Sequence, residues 1–356
     1  MKKLVCILAI LVFCSTVSSA QLLIGSKAGG MGGAGVSSVD DLSAAYYNPA
    51  ALMKSKVKAA EVKISLGAQY TDPTELSQAI SKISSPADFI ADNYSKTLNF
   101  NGNLDGIIGF NIRKVGISLI PIANATTSKL ADSLVGSVEG ASQHDAVLTL
   151  GNSFSIPFLP EELSVGVNAK YITAYSGDIT TTGTTLDASG TTTYGAGTGF
   201  GFDVGALTSF KGINVGIVAR NLAQSITYKN KSQTSYLSCS GTTATVTNGA
   251  ETTLPDSTIN FNPSYAIGAS ATLPIIGLQV AGDYEMTSNG SATHLGAELP
   301  LHLLTLRAGL ASGVGLSKIT LGAKVSLPIL TLGAVVIADA NDKAANSYIV
   351  DINMGW

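Results

Sequence analysis

Apolar and polar residues alternate with a period of two along most of this chain. In the final stretch Tyr348, Val350, Ile352, Met354 and Trp356 fall on one face, while Asp351, Asn353 and Gly355 fall on the other. Phe200, Phe202, Val204 and Ala206 stand opposite Gly201, Asp203 and Gly205 in the same way. So do Leu304, Leu306, Ala308 and Leu310 opposite Thr305, Arg307 and Gly309. Successive side chains of a strand point to opposite sides, so each segment predicts a β-strand with two chemically different faces. Fourteen such segments occur, at 57–69, 104–112, 115–122, 145–156, 163–175, 198–209, 213–223, 264–273, 277–287, 293–299, 303–312, 318–327, 330–338 and 347–356. Most have the length of about nine to twelve residues that a tilted strand needs to cross a bilayer. An even count suits the closed antiparallel barrels of bacterial outer membranes. The predicted fold is all-β, a 14-stranded antiparallel transmembrane β-barrel.

The connections sort by parity. Odd ones are long, at 70–103, 124–144, 176–197 and 224–263 for the first four, and read as outer loops. Even ones are brief: Arg113-Lys114, Pro157 to Glu162, Lys211-Gly212, Pro274 to Ile276, Pro300 to His302 and Pro328-Ile329. Pro157, Pro274, Pro300 and Pro328 each follow Ile or Leu and are expected to close a strand at its rim, since proline cannot donate to a ladder. A barrel with periplasmic termini alternates long outer loops with short inner turns in this way.

Charge follows the same division. With the more apolar face of each strand turned to lipid, no charge falls on that face. Twelve fall on the other, as candidate lumen charges: Glu61, Lys63, Arg113, Lys170, Asp203, Arg220, Asp283, Glu285, Glu298, Arg307, Lys324 and Asp351. Lys or Arg on the lipid face would cost about 2–4 kcal/mol at mid-membrane. Only 13% of the 356 residues are charged, roughly half of the usual share of about 25%, and the deficit belongs to a lipid-facing wall. The formal charge of -3 and the lack of a basic cluster exclude a nucleic-acid partner.

Residues 1–20 read as an exported chain's signal peptide. Lys2 and Lys3 form the charged end, Leu4 to Phe13 the apolar stretch, and Ser18-Ser19-Ala20 the cleavage site. Leu11-Val12-Phe13 ahead of Cys14 lacks the small residues of a lipoprotein site. Cleavage after Ala20 removes Cys6 and Cys14 and leaves Cys239 alone, so disulfides do not staple the fold. The expected location is the outer membrane of a Gram-negative-type cell.

Residues 21–54 do not alternate. The run from Gly29 to Gly35 follows no strand and lacks the Gly-Lys-Ser/Thr ending of a phosphate loop. A helix-like stretch begins at Asp40 and ends at Asn48-Pro49-Ala50. This segment is expected to be a compact plug, with the barrel occupying 55–356. The succession A-G-G-M-G-G-A-G-V, an acidic pair, S-A-A-Y-Y-N-P-A-A-L and fourteen alternating segments resembles the FadL superfamily of outer-membrane proteins. That resemblance implies an N-terminal hatch inside the lumen, with Asn48, Pro49 and Ala50 as its motif. Gly212 to Leu222 and Leu304 to Gly313 look closer to the PorV-type branch, whose members are linked to type IX secretion.

Candidate chemistry is sparse. The twelve inward charges are six acids and six bases, which suits paired networks better than an ion-selective lining. Ile107, Val147, Ile172, Val218, Leu222, Val335 and Ile337 also point inward, unusually apolar for an open water channel. Pro121 interrupts the third strand and removes one ladder hydrogen bond. Either it ends the strand at the outer rim, or, as the resemblance suggests, it opens the wall sideways as a lateral gate. In the first long connection, Asp72-Pro73-Thr74-Glu75 leads a helix presenting Leu76, Ile80 and Ile83, and Ser85-Pro86-Ala87-Asp88 leads another presenting Phe89, Ile90 and Tyr94. These faces either pack together as a cap or form a landing site for a hydrophobic molecule.

His144, His294 and His302 fall in separate regions, two outer and one in a periplasmic turn, so no catalytic set assembles. No Cys/His spacing suits a metal, and no cofactor is expected. Tyr348 through the C-terminal Trp356 looks like the recognition signal of the barrel-assembly machinery. Lipids of the outer membrane are the other expected contact. Two functions fit: passive uptake of hydrophobic, long-chain fatty-acid-like molecules through a plugged lumen, or service as a PorV-type partner of secreted proteins without transport.

Overall fold

The computed structural model describes residues 22–55, 60–70, 98–129, 136–157, 161–183, 187–240, 243–274, 276–314, 316–340 and 346–355. The signal segment, the two helix candidates between 72 and 94, and Trp356 lie outside these residues. The strands are β1 (Glu61–Tyr70), β2 (Leu98–Ile112), β3 (Val115–Lys129), β4 (Gly136–Phe154), β5 (Leu163–Gly183), β6 (Asp187–Phe210), β7 (Ile213–Ser240) and β8 (Thr243–Thr253). After them come β9 (Ser257–Asn260), β10 (Ser264–Thr272), β11 (Gln279–Thr287), β12 (Gly290–Leu301), β13 (Leu304–Gly313), β14 (Leu316–Ser326), β15 (Leu330–Asp339) and β16 (Asn346–Gly355).

β8, β9 and β10 all pair along the single long β7, so together they make one stave. Sixteen strands therefore form a barrel of fourteen staves, antiparallel throughout. It closes where β1 meets β16, from Glu61 opposite Gly355 to Tyr70 opposite Asn346.

The period-two pattern becomes an inside and an outside. Leu321 is 63% exposed while its neighbour Thr320 is fully buried. β13 alternates strictly, with Leu304, Leu306 and Leu310 outward and Thr305 and Arg307 inward. Facing water, each such apolar side chain would forgo about 1.5–3 kcal/mol of burial. A continuous belt of them requires lipid or a partner surface.

Three of the four long connections differ from their expected form. Residues 124–144, 176–197 and 224–263 are largely strand, not loop. At about 3.3 Å per residue, a 28-residue strand such as β7 runs to about 90 Å, more than twice the length needed to cross a bilayer at about 45°. The excess forms hairpins that stand beyond the apolar belt. Their Thr- and Ser-rich sequences form backbone ladders without alternating hydropathy. Proline placement also departs in one case. Pro300 lies within β12 opposite Thr305, one pair short of the tight turn to β13.

Inside the barrel sits the plug. It contains α1 (Ser26–Gly30), α2 (Ala44–Tyr47) and a 3-10 turn at Pro49–Lys54. The helix expected from Asp40 is thus only four residues long, and the glycine run holds a short helix of its own. Ala28, Val39, Ala44, Tyr47, Ala50, Ala51 and Leu52 form a small core that leans on Leu207 of β6.

Candidate functional site

The plug is held by groups that the inner face supplies at separate heights. Asp283 Oδ2 accepts the backbone N–H groups of Gly35 (2.7 Å) and Val36 (2.8 Å). Asp351 Oδ2 accepts that of Ser26 at 2.7 Å. Thr320 accepts from Gly32 N and donates to Gly30 O, both at 3.0 Å. Asn168 donates to Ala45 O at 2.7 Å. Arg220 donates through Nε and Nη2 to Tyr47 O, at 3.3 and 3.2 Å, while its Nη1 pairs with Glu285 at 2.6 Å. The wall thereby satisfies plug backbone groups that the plug's own turns leave over, as buried amides require.

Ion pairs complete the docking. Lys63 lies 2.8 Å from Asp41 of the plug and 2.9 Å from Asp351 of the wall. Lys27 pairs with Asp40 at 2.8 Å, and Arg307 with Glu298 at 2.7 Å. Lys170 pairs with Asp203 at 2.8 Å. Eleven of the twelve expected lumen charges point inward. Glu61, Lys63, Lys170, Asp203, Arg220, Asp283, Glu285, Arg307 and Asp351 are buried, whereas Glu298 and Lys324 are half-buried. Arg113 is the exception. It is exposed in the β2–β3 turn with φ of 54°, because a two-residue turn turns its first side chain out of both strand faces.

Asn48 explains the hatch motif. Its Oδ1 caps the 3-10 turn by accepting Ala50 N at 3.1 Å, with Pro49 at the first position, where no N–H is needed. Its Nδ2 donates to Val36 O at 2.9 Å and to Ala206 O of β6 at 3.3 Å. The wall is cut back to receive it: a Cβ on Gly205 would collide with Asn48 Oδ1, and one on Gly166 with the backbone at Pro49 and Ala50. This close approach is the reason for glycine at those inward positions.

The plug divides the lumen. On the short-turn side lie cavities of about 580 and 150 Å³, both touching Lys27, Asp40 and Lys324. On the hairpin side a cavity of about 330 Å³ opens between the β11–β12 turn at Ser288-Asn289 and a floor made by Leu22, Ala45 and Tyr46. Phe261 adds an apolar wall, and Ile120 and Ile122 of β3 form its flank. Beneath that flank, Ile24, Leu42, Ala45, Ile107, Ile120 and Val147 form one apolar cluster between plug and barrel.

Pro121 lies between Ile120 and Ile122. The strand does not end there: β3 continues to Lys129, and Pro121 is opposite His144 on the β4 side. On the β2 side the ladder pairs Asp105 with Ile122 and then resumes only at Ile108 with Leu119. Gly106, Ile107, Ile120 and Pro121 are passed over without a change of register. Proline supplies no N–H, so the β2–β3 ladder lacks a rung beside the cavity while both strands and their register continue.

Of the three histidines, His302 sits in the turn after β12 with φ of 57°, and His144 is half-buried in β4. His294 corrects the expectation of an outer position. It is fully buried, with Nδ1 2.7 Å from Gly32 O and Nε2 3.8 Å from Glu285. Among the described residues no group of His, Cys, Asp and Glu is arranged to hold a metal. The sequence reading overlooked Asp105 and Asp145, both inward and next to the interruption. Their parity with Ile107 and Val147 marks that face. The first-loop candidates Leu76, Ile80, Ile83, Phe89, Ile90 and Tyr94 lie outside the described residues. Leu222, expected to line the lumen, is half-buried beside two register shifts that interrupt the alternation of β7 near Asn221 and Ala223, both at positive φ.

A fourteen-stave barrel filled by its own N-terminal segment defines a class of plugged β-barrel fold. The CymD monoaromatic hydrocarbon channel has this fold, with a TM-score of 0.58 over 93% of this chain and 97% of its own, at 11% identity. The toluene transporter TodX of P. putida aligns with a TM-score of 0.57 over 93% and 98%, at 10% identity. A TodX mutant termed deltaS2S3 gives 0.59 over 93% and 99%, at 10% identity. The fold is therefore the one expected from the FadL resemblance, whereas the PorV-type branch gains no support. No family model and no curated protein matches the sequence.

Proposed function

We propose that this chain is an outer-membrane barrel for passive uptake of hydrophobic small molecules. It is exported by the signal at 1–20 and inserted by the barrel-assembly machinery. Cargo enters the hairpin-side cavity, meets the plug, and leaves sideways into the bilayer through the interruption between β2 and β3. One observation carries this reading: the β2–β3 ladder lacks a rung at Pro121, where the cavity is flanked by Ile120 and Ile122. The plug, anchored at many points, blocks the direct route, and the cavity's apolar flank leads toward the notch. The hydrocarbon channels named above share the fold and so support this reading over that of a secretion partner.

The notch can be tested by closing it. Flux of a labelled hydrocarbon into lipid vesicles should fall in Pro121→Ala, which restores the missing donor. It should also fall when Ile107→Cys and Ile120→Cys, facing each other across the interruption, are oxidised together, and recover on reduction. Unchanged flux in both variants would remove the lateral route.

A further inference from the structure

On the short-turn side of the plug, the docking network leaves positive charge unanswered. Most cations between plug and wall are matched: Lys27 by Asp40, Arg307 by Glu298, Lys63 by Asp41 and Asp351, Lys170 by Asp203 and Arg220 by Glu285. Among the described residues, Lys54 of the plug and Lys318 and Lys324 of the inner face make no ion pair. Lys318 stands near the hairpin end of β14, opposite Asp339. The other two line one cavity, the space of about 580 Å³ that reaches Gly277 and Pro300 at the short turns. Lys54 ends the 3-10 turn, and its Nζ donates to the carbonyl of Ser37 at 3.1 Å. Lys324 lies on β14, half-buried. The carboxylates acting on Lys54 are Asp40 and the exposed Glu161, and those acting on Lys324 are Glu298 and Asp40. Lys27 already holds Asp40, and Arg307 already holds Glu298. Burial, and then Lys27, push the Lys54 ammonium down to about 8, as befits a cation without a partner. Two single positive charges are left over, one on the plug and one on the wall.

We infer that this cavity binds a small dicarboxylate, with one carboxylate on Lys54 of the plug and the other on Lys324 of the wall. Two single charges at separate points are answered one for one by two carboxylates, whereas chloride or a monocarboxylate answers one of them. The volume lies within the range of about 300–1,000 Å³ of small-molecule pockets. Ser38 of the plug and Thr272, Gln279 and Thr305 of the wall bring further hydrogen-bonding groups to the same space. Bonds from an ammonium to a carboxylate are about twice as strong as neutral ones. The ligand touches plug and wall together, so it binds the docked plug in preference to a released one and tightens docking by mass action. The site lies across the plug from the hairpin-side cavity, and the inference stands apart from the route of the cargo. A diacid on the short-turn side holds the barrel shut.

The full barrel in neutral detergent is titrated by calorimetry with malonate, glutarate and pimelate, which differ in the span between their carboxylates. Hexanoate and chloride at matched ionic strength serve as controls, and hydrogen exchange of 22–55 is followed in parallel. At least one diacid should bind, and at about ten times its dissociation constant it should slow plug exchange about tenfold. Hexanoate and chloride should leave that exchange within about twofold of the untreated barrel. Lys54→Gln and Lys324→Gln should each weaken the diacid about tenfold. Neither ammonium bonds another side chain among the described residues, so strand protection should persist in both variants. Equal slowing by hexanoate or chloride overturns the inference without need of any variant. So does a diacid effect that survives the double substitution, or failure of all three diacids to bind the wild type.

Discussion

Replacing Arg220 by Met tests whether the plug is a separately releasable unit. Arg220 is 7% exposed and engages both sides of the docking surface. Its two donors meet Tyr47 O at the end of α2, and its third meets Glu285 at 2.6 Å. Methionine keeps most of the stem's packing but removes the donors. Glu285 is then a buried carboxylate whose remaining neighbour is His294, 3.8 Å away and bound through Nδ1 to Gly32 O. Both partners of that pair lie on the wall, so the plug itself loses the charged hydrogen bonding to Tyr47 O, about 1.5–3 kcal/mol, equivalent to about one to two orders of magnitude in the docking equilibrium. The ladders of β7 and β11 are made by backbone and should persist. Hydrogen exchange read by mass spectrometry should show protection of 22–55 reduced by that factor, with the strands unaffected and the barrel still heat-modifiable. Exchange of 22–55 that matches the wild type would refute the view that these side chains, rather than shape alone, hold the plug. Simultaneous loss of strand protection would refute its independence.

Gly205→Leu places a side chain where Asn48 Oδ1 now lies, so the plug is expected to shift. Single-channel conductance should rise from closed to open, and unchanged closure would count against the fit. The Lys54 ammonium is pushed down to about 8, by burial first and then by Lys27 nearby. Because the docked value lies below the free value of about 10.4, the charged form is disfavoured in the docked plug. Docking therefore weakens as pH falls from about 10 toward 8 and stays weak below that. Lys54→Met should flatten this dependence of exchange on pH, whereas an unaltered pH profile would show that another group sets it. Deleting Trp356 should impair insertion by the assembly machinery, and normal levels of heat-modifiable barrel in the deletion would exclude that role.

How much of this was legible in the sequence follows from what hydropathy reports. Alternation records where one strand face meets lipid, so all fourteen staves showed, and they stopped showing where they left the membrane. Residues 224–240 read as loop because Tyr228, Lys229 and Lys231 obey no apolar period, although they continue β7. The inner face was legible as polar, but not its purpose. Asp283 takes N–H groups from Gly35 and Val36, more than two hundred residues away, and no local pattern encodes such a contact. Asn48 showed through its motif alone, and its wall partner, the carbonyl of Ala206, carries no side-chain signature.

Pro121 is the instructive case. A proline that ends a strand and a proline that notches one remove the same N–H, so the residue itself cannot decide between them. What decides is whether the strand resumes. It does so over 123–129, Ala-Asn-Ala-Thr-Thr-Ser-Lys, which has no alternation of its own. That stretch is held by pairing with 136–142 of β4, Gly-Ser-Val-Glu-Gly-Ala-Ser, which has little more. Neither segment predicts a strand alone, yet each supplies the backbone partners of the other. The missing rung is confined to the β2 side, where pairing resumes at Ile122 with Asp105 and runs on to Lys129 with Leu98, while the β4 side pairs without a break. A defect of that kind belongs to a pair of ladders and to no single stretch of chain. Asp105 and Asp145 likewise lie forty positions apart on different strands, and only the registers of β2 and β4 against β3 set them opposite Ile122 and Ile120.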